Sequence, residues 1–135
     1  MTLNSEDRNT IVRLRLQKAK ETLQDTKCVA ELNLWRVAAN RLYYACYYAA
    51  SALLINNGHS PRTHSGIITL LGLHFVSKGL ISEEQGYFYS TLFKLRHTGD
   101  YDDRAKIDTE DVLPNIPLAE DFIAMIEKLI LQENL

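Results

Sequence analysis

The chain has 135 residues, of which 46% are hydrophobic and 24% charged, and its formal net charge is −2. This length fits a single domain over residues 1–135, and the composition is that of a globular chain, which excludes intrinsic disorder. A net charge so close to zero provides no global basic field. A bulk nucleic-acid binder is therefore excluded, and any RNA contact has to come from a local cluster.

Cysteine content and hydropathy predict a cytoplasmic protein without a membrane segment. Two cysteines, Cys28 and Cys46, are too few for a disulfide framework and suit a reducing compartment. The amino terminus has no apolar signal core, and the longest apolar run, residues 42–55, is too short and too rich in tyrosine to span a bilayer. We expect no contact with a membrane.

The first two predicted helices follow from apolar residues that recur every three or four positions. The first spans about residues 6–26 and begins after Ser5, which can cap it. The second spans about residues 30–56 and is the central helix, with a seam typical of close helix packing. The stripes consist of Val12, Leu16, Ala19 and Leu23 in the first helix, and of Leu32, Trp35, Ala39, Leu42, Cys46, Ala49 and Leu53 in the second.

A third, shorter helix is predicted between two turns that contain glycine. The segment Asn56-Asn57-Gly58 contains residue types that tolerate a left-handed helix end. Ser60 can cap the next helix, with Pro61 in its first turn, and this helix is expected to end near Gly79.

The fourth predicted helix begins at a capping box formed by Ser82 and Gln85. Gly99 and the charged residues after it are expected to break the helix near residues 96–98, and a polar loop then extends to Ile107. Its apolar stripe consists of Phe88, Leu92 and Leu95.

The last predicted helix follows Pro114 and Pro117, which indicate a short preliminary turn. Its expected buried positions are Leu118, Phe122, Met125 and Leu129. Because no alternating β-branched run occurs anywhere, the chain is predicted to be all-α.

The central predicted helix carries a second adhesive face of Val37, Arg41, Tyr44 and Tyr48, roughly opposite its seam. Tyrosine and arginine are enriched at interfaces, so this face predicts a second partner, either another helix of the chain or the same face of a second subunit. We predict a homodimer. Packing of these tyrosines within the chain, with their hydroxyls in water, stays open as the alternative.

Three motifs point to a family. They are Arg41-Leu42-Tyr43-Tyr44-Ala45 on a long helix, His64-Ser65-Gly66 at the start of the next, and Leu95-Arg96 followed by Asp100-Tyr101. With them the chain resembles a bacterial and archaeal branch of the HEPN domains, from about residue 13 to residue 129. The resemblance implies an up-and-down bundle of four main helices plus a short one, often a homodimer.

The same resemblance implies partners. Members of this family commonly occur beside a minimal nucleotidyltransferase as a toxin and antitoxin pair, and others belong to abortive-infection or RNA-processing systems. Catalytically active members resemble metal-independent ribonucleases, in which an arginine is followed four to six residues later by a histidine and a dimer brings two such motifs into one cleft.

This chain departs from that catalytic pattern, because Tyr101 stands in the window after Arg96 and no other arginine and histidine pair has the required spacing. An unperturbed tyrosine, with a pKa near 10, transfers protons poorly at neutral pH. His97 is adjacent to Arg96, and adjacent helical residues point about 100° apart, so it shares that direction only if the helix ends there. The sequence therefore argues against a standard ribonuclease.

His64 is the remaining candidate, because the resemblance places it near Arg41, Arg96, Asp100 and Tyr101. The plainer interpretation gives His64 a structural hydrogen bond and lets Arg96 brace the turn by pairing with Asp100. We expect the structural role to be the main one.

No cofactor or metal site is predicted. The chain lacks histidine pairs with zinc-ligand spacing, paired cysteines and a glycine-rich phosphate loop after a strand. The acidic run Asp100, Asp102 and Asp103 lacks the spacing of a calcium loop and is interpreted as a solvated loop.

Two functions follow. The first is a HEPN-type module that acts with a nucleotidyltransferase-type partner in a toxin–antitoxin or defence-like system and has a polar cleft for RNA or a nucleotide. The alternative is a divergent metal-independent ribonuclease that uses Arg96 with His97, His64 or Tyr101. The predicted cleft consists of Arg41, Tyr44, His64, Arg96, Asp100 and Tyr101.

Overall fold

The computed structural model describes residues 3–134, which form an all-α bundle in which this range contains no strand. Four long helices are accompanied by two shorter ones, so the predicted fold class is confirmed. Within the described range no helix is both long and apolar enough to cross a membrane. The helices are α1 (Ser5–Glu31), α2 (Trp35–Asn56), α3 (His64–Leu71), which a π-helical turn (Gly72–Val76) continues, α4 (Glu83–Tyr101), α5 (Thr109–Val112) and α6 (Asn115–Glu133).

Helix α2 is the centre of the bundle, and α1, α4 and α6 all pack against it. Small residues on several sides of α2 let these neighbours approach closely, as expected for a helix that is buried nearly all round. The predicted seam of α2 is confirmed from Ala39 to Leu53. Its buried residues are Ala39, Leu42, Cys46, Ala49 and Leu53.

The boundary between α1 and α2 differs from the prediction. Helix α1 continues to Glu31, and a three-residue turn, 32–34, then leads into α2. Asn33 has a φ of 59°, a left-handed conformation that asparagine tolerates, and this reverses the chain. Leu32 therefore lies outside α2 and is 68% exposed, so its place in the seam was wrong.

Side-chain caps begin α1, α3 and α4, and a capping box of Asp108 and Asp111 begins α5. Asn4, not Ser5, caps α1, and Thr63, not Ser60, caps α3; each side chain accepts a hydrogen bond from the N–H three residues along, at 2.8 and 2.9 Å. Ser82 caps α4 in the same way at 3.0 Å, as predicted. Asparagine, serine and threonine are all good caps, so composition alone could not choose between neighbours.

Helix α4 does not break at Gly99, contrary to the prediction, but continues to Tyr101. A glycine inside a helix costs only about 1 kcal/mol relative to alanine, which packing can offset. Gly99 is buried beside Ile107 of the following loop, and Arg96 and Asp100 form an ion pair across the last turn, with Nη1 and Oδ2 3.5 Å apart. Asp100 therefore belongs to the helix rather than to a loop.

The end of the chain has the predicted short turn, α5, before the last helix. Phe122 is buried as expected, but Leu118 is 48% exposed, and Met125 and Leu129 are only half-buried. The buried face of α6 is rotated from the predicted one and consists of Ile116, Ala119, Phe122, Ile123, Ile126 and Ile130.

The second face of α2 is covered mainly from within the chain. Tyr48 lies under the ammonium group of Lys18 on α1, 4.7 Å from its ring centroid, and Tyr44 lies under Arg41 at 5.1 Å. Only Val37 is largely open to solvent, with 46% of its surface exposed. Tyr48 therefore has a partner within the chain, while Arg41 and Tyr44 pack on each other and stay half-buried, and the homodimer stays a prediction.

Candidate functional site

A cluster of aromatic and arginine side chains lies where α2 meets the start of α3 and the second half of α4. His64, the first residue of α3, is surrounded by three tyrosine rings of α2. Its ring centroid is 5.7 Å from those of Tyr43 and Tyr44 and 4.8 Å from that of Tyr47. We call this group the aromatic–arginine cluster; it consists of Arg41, Tyr43, Tyr44, Tyr47, His64 and Arg96.

Local sequence explains why these side chains meet. Residues three and four apart share a helix face, so Tyr43, Tyr44 and Tyr47 cover adjoining parts of the α2 surface. The Thr63 cap fixes where α3 begins and thereby places His64 in the first turn, against that surface.

Arg96 reaches the cluster from α4 and is only 7% exposed. Its guanidinium carbon lies 5.1 Å from the ring centroid of Tyr43 and 5.8 Å from those of Tyr44 and Phe93, which is cation–π geometry. Its only ion pair within residues 3–134 is the long one to Asp100. Its buried Nε has no hydrogen-bond partner there, so the guanidinium keeps unused donor capacity.

Asp100 connects the two arginines of the cluster through Asn40. The amide of Asn40 donates to Asp100 Oδ2 at 3.1 Å, and its oxygen accepts from Nε and Nη2 of Arg41 at 3.2 and 3.0 Å. This network joins α2 to the end of α4. With two arginines and one carboxylate, it leaves one positive charge without a counter-charge.

His64 lies at the end of a hydrogen-bond chain of two tyrosine hydroxyls. Tyr89 donates to the hydroxyl of Tyr43 at 3.4 Å, and that hydroxyl lies 2.7 Å from Nδ1 of His64. Burial raises the pKa of Tyr43 to about 12, so its hydroxyl keeps its proton. Because the oxygen already accepts from Tyr89, that proton is available to be donated to Nδ1. We therefore assign the ring proton of neutral His64 to Nε2.

The charge state of His64 follows from its surroundings. Partial burial, and then the nearby Arg96 charge, lower its pKa below the ordinary 6.5, so the ring is neutral at pH 7. Its one lone pair already accepts from Tyr43. Neutral His64 can therefore donate a hydrogen bond through Nε2, but it has no free nitrogen with which to act as a general base.

We expect His64 to titrate below pH 6.5 and the Tyr43→Phe variant to bring its midpoint closer to 6.5, because the bond to Nδ1 stabilises the neutral ring. The free energy of unfolding should rise with pH between the folded midpoint and 6.5, since the unfolded chain binds the proton more tightly there. Nitrogen-15 NMR of the histidine rings measures both midpoint and tautomer. Exposed Tyr101→Phe is the control, and a proton on Nδ1 of the neutral ring would contradict the assignment.

His97 and Tyr101 lie apart from the aromatic–arginine cluster. Their rings are tilted by 43° with centroids 4.8 Å apart, and His97 stacks on Phe93 at 6.3 Å. Tyr101 is 69% exposed. Since α4 continues through this region, His97 does not share the direction of Arg96. Five of the six predicted cleft residues join one contact network, whereas Tyr101 reaches that network only through the rings of His97 and Phe93.

Sequence reasoning gave no role to three residues of this network, Asn40, Tyr43 and Tyr47. Tyr43 lies inside the first motif, and Tyr47 follows it at a spacing of four, which was the available signal. The sequence around Asn40 gave no indication of a role, because its hydrogen bonds join Arg41 of α2 to Asp100 of α4, which are distant in the sequence.

Comparison with known proteins identifies the family. A family model described as the HEPN domain matches residues 12–129, nearly the range over which the three motifs suggested the resemblance. The chain belongs to the HEPN family. A protein of Thermotoga maritima named "UPF0332 protein" is 37% identical to this HEPN chain over 124 residues, which cover 92% of the chain and 94% of the relative.

Two further proteins resemble this HEPN domain. A protein of Methanocaldococcus jannaschii that bears the name "Putative toxin" is 34% identical over 128 residues, covering 93% of this chain and 92% of its own. The crystal structure of TT1696 from Thermus thermophilus matches with a TM-score of 0.75 over 87% of this chain and 96% of that chain. At 19% identity the second likeness shows the HEPN fold alone.

Proposed function

We propose that this HEPN protein is a toxin-type module whose aromatic–arginine cluster binds single-stranded RNA, or a nucleotide as its shortest form. One observation carries the proposal: Arg41 and Arg96 lie among tyrosine rings in a network that contains a single carboxylate, Asp100, which pairs with Arg96 and reaches Arg41 only through Asn40. The unbalanced positive charge suits a phosphate, and the ring faces suit bases. The relative named as a toxin supports the general class.

The accessible members of the cluster are the expected ligand contacts. Arg41, Tyr44, Tyr47 and His64 are half-buried, so part of each can reach a ligand. The guanidinium of Arg41 and the Nε2–H of His64 are donors for phosphate oxygens, while the tyrosine rings can stack on bases, at about 1–3 kcal/mol per base. Buried Arg96 positions the rings around it.

The proposal includes partners. The family resemblance suggests a nucleotidyltransferase-type protein as the other half of a two-component system, and a homodimer. The homodimer rests on the resemblance and on the α2 face of Val37, Arg41, Tyr44 and Tyr48, of which Tyr48 packs under Lys18 of the same chain while Val37 is open to solvent.

The alternative is a divergent ribonuclease, and His64 is its best-placed histidine. His64 shares two ring contacts with Arg96, those of Tyr43 and Tyr44, whereas His97 shares one, that of Phe93. The occupied Nδ1 of His64 favours binding over proton abstraction.

Fluorescence anisotropy with a labelled single-stranded RNA hexamer tests the proposal at fixed salt. We expect the partner-free protein to bind and Arg41→Gln to weaken binding about tenfold, since a charge-assisted contact contributes roughly 1.5–3 kcal/mol. Arg13→Gln, an exposed residue of α1, makes the same charge change and should have little effect. Equal affinities of the two variants, or no binding by the parent, would refute the proposal.

The same samples separate the two functions. After incubation, an intact hexamer agrees with a binding module. Shortened RNA that disappears in the Arg96→Gln variant would instead establish the ribonuclease.

A further inference from the structure

A cavity of about 300 Å³ lies between the start of α1, the second half of α2 and the loop after α2. Its volume is at the lower end for ligand pockets, so it suits a single nucleotide unit better than a large cofactor. No aspartate or glutamate is among its lining residues within positions 3–134. Its polar lining consists of Arg8, Arg15, Tyr47, Ser51, His59 and Ser60.

Two arginines supply the charge of this cavity. Arg8 and Arg15 are seven positions apart on α1, about two turns, so they lie on the same helix face, and both are half-buried. Neither joins an ion pair in the described part of the chain. Arg8 makes one long hydrogen bond, from Nη2 to the carbonyl of Leu3 at 3.5 Å. In a protein with a net charge of −2, such a local excess of positive charge indicates an anion.

The loop after α2 contributes a histidine and a serine to the cavity lining. His59 stacks on His74 of the π-helical turn, with ring centroids 4.3 Å apart. Partial burial, then the nearby His74 and Lys78, lower the pKa of His59 below its ordinary value, so at pH 7 the ring is neutral and can serve as a hydrogen-bond partner rather than as a charge. The hydroxyl of Ser60 adds a neutral donor at the rim.

Tyr47 connects the cavity to the aromatic–arginine cluster. Its side chain lines the cavity, and its ring centroid is 4.8 Å from that of His64. The two sites therefore share a wall, and a strand that stacks on Tyr47 can reach both.

We infer that this cavity is a second phosphate-binding subsite, in which Arg8 and Arg15 hold a backbone phosphate of the single-stranded RNA bound at the aromatic–arginine cluster. This inference rests on the proposed function and extends it: the ligand spans both subsites and is an oligonucleotide, not a mononucleotide. Recognition is through the backbone, so it tolerates any base.

NMR chemical-shift titrations with oligouridylates of two and six residues test the subsite. A dinucleotide is long enough for the cluster, whereas the six-residue strand also reaches the cavity. Arg15→Gln should weaken binding of the longer strand about tenfold and reduce the slope of log K against log salt by about 0.7, the value for one phosphate contact on a single strand. Dinucleotide affinity should not change.

Two controls make the result specific. Arg13→Gln removes the same charge from the exposed side of α1 and should change neither affinity nor slope. Arg15→Lys keeps the charge and should restore most of the slope, with circular dichroism showing that each variant folds.

Three results would overturn the subsite. If Arg15→Gln binds the longer strand like Arg13→Gln while Arg41→Gln weakens both ligands, the subsite is absent and the proposed function stands. If Arg15→Gln weakens the dinucleotide equally, the cavity is not a separate subsite. If the parent binds neither ligand, the subsite and the proposed function both fail.

Discussion

Replacing Ala49 by tryptophan is expected to lower the free energy of unfolding by about 1–3 kcal/mol or more, because a large ring has to enter a filled core. Ala49 has no exposed surface and lies in the middle of α2, the helix against which α1, α4 and α6 pack. The neighbours on α2 are also small or apolar and fully buried, so no side chain can swing into solvent to make room. They include Ala45, Cys46, Ala50, Ala52 and Leu53.

Thermal unfolding followed by far-ultraviolet circular dichroism measures this effect. For a chain of this length, each kcal/mol lowers the melting temperature by about 4 °C. Ala124→Trp is the matched control, since Ala124 is an exposed residue of α6 and offers the same substitution without a core to fill. An Ala49→Trp variant that melts with the parent would show that this part of the core can rearrange.

The buried seam of α2 was predictable because spacing alone determines which residues of a long helix share a face. The five seam residues between Ala39 and Leu53 follow that rule and are buried. The prediction failed at Leu32, where the helix had already ended. That ending depends on the left-handed conformation of Asn33, and the residue type alone does not reveal the φ of an asparagine in a helical sequence.

The end of α4 shows how tertiary packing overrides a local signal. Gly99 and the acidic residues after it are typical of a helix terminus, yet burial of Gly99 beside Ile107 carries the helix one turn further. This extra turn has a consequence for the site. Because the helix continues through Asp100, Arg96 and Asp100 lie on the same helix face and can pair. His97, on the same continuous helix, points in a different direction and packs on Tyr101.

The site was predictable where a motif placed residues on one helix and unpredictable where helices meet. The Arg96 and Asp100 pair follows from a spacing of four. The bond between His64 and Tyr43 joins residues 21 positions apart, and its companion from Tyr89 joins residues 46 apart. Such contacts, and the tautomer that they fix, depend on how α2, α3 and α4 pack.

Arg96→Lys is expected to lower the free energy of unfolding by about 1–3 kcal/mol, because lysine cannot replace a planar guanidinium caged by rings. Arg96 is buried against Tyr43, Tyr44 and Phe93, and it reaches Asp100 only at the edge of ion-pair distance. An ammonium group in that cage is compact and strongly hydrated, so it loses water without gaining three ring faces. Urea unfolding measures the loss, and exposed Arg104→Lys, which should change nothing, is the control.

The RNA affinity of Arg96→Lys then separates a positioning residue from a ligand contact. Because Arg96 lies behind the rings while Arg41 and His64 are half-exposed, we expect its affinity for the RNA hexamer, measured on the folded variant at fixed salt, to fall less than that of Arg41→Gln. The opposite pattern, a variant as stable as the parent with affinity reduced several-fold, would make Arg96 a direct phosphate contact. A residue that only positions the rings acts through their packing, so replacing it has to change stability. If the Arg96→Lys variant is as stable as the parent but has lost an RNA-cleaving activity that the parent has, Arg96 takes part in cleavage and the protein is a ribonuclease rather than a binding module.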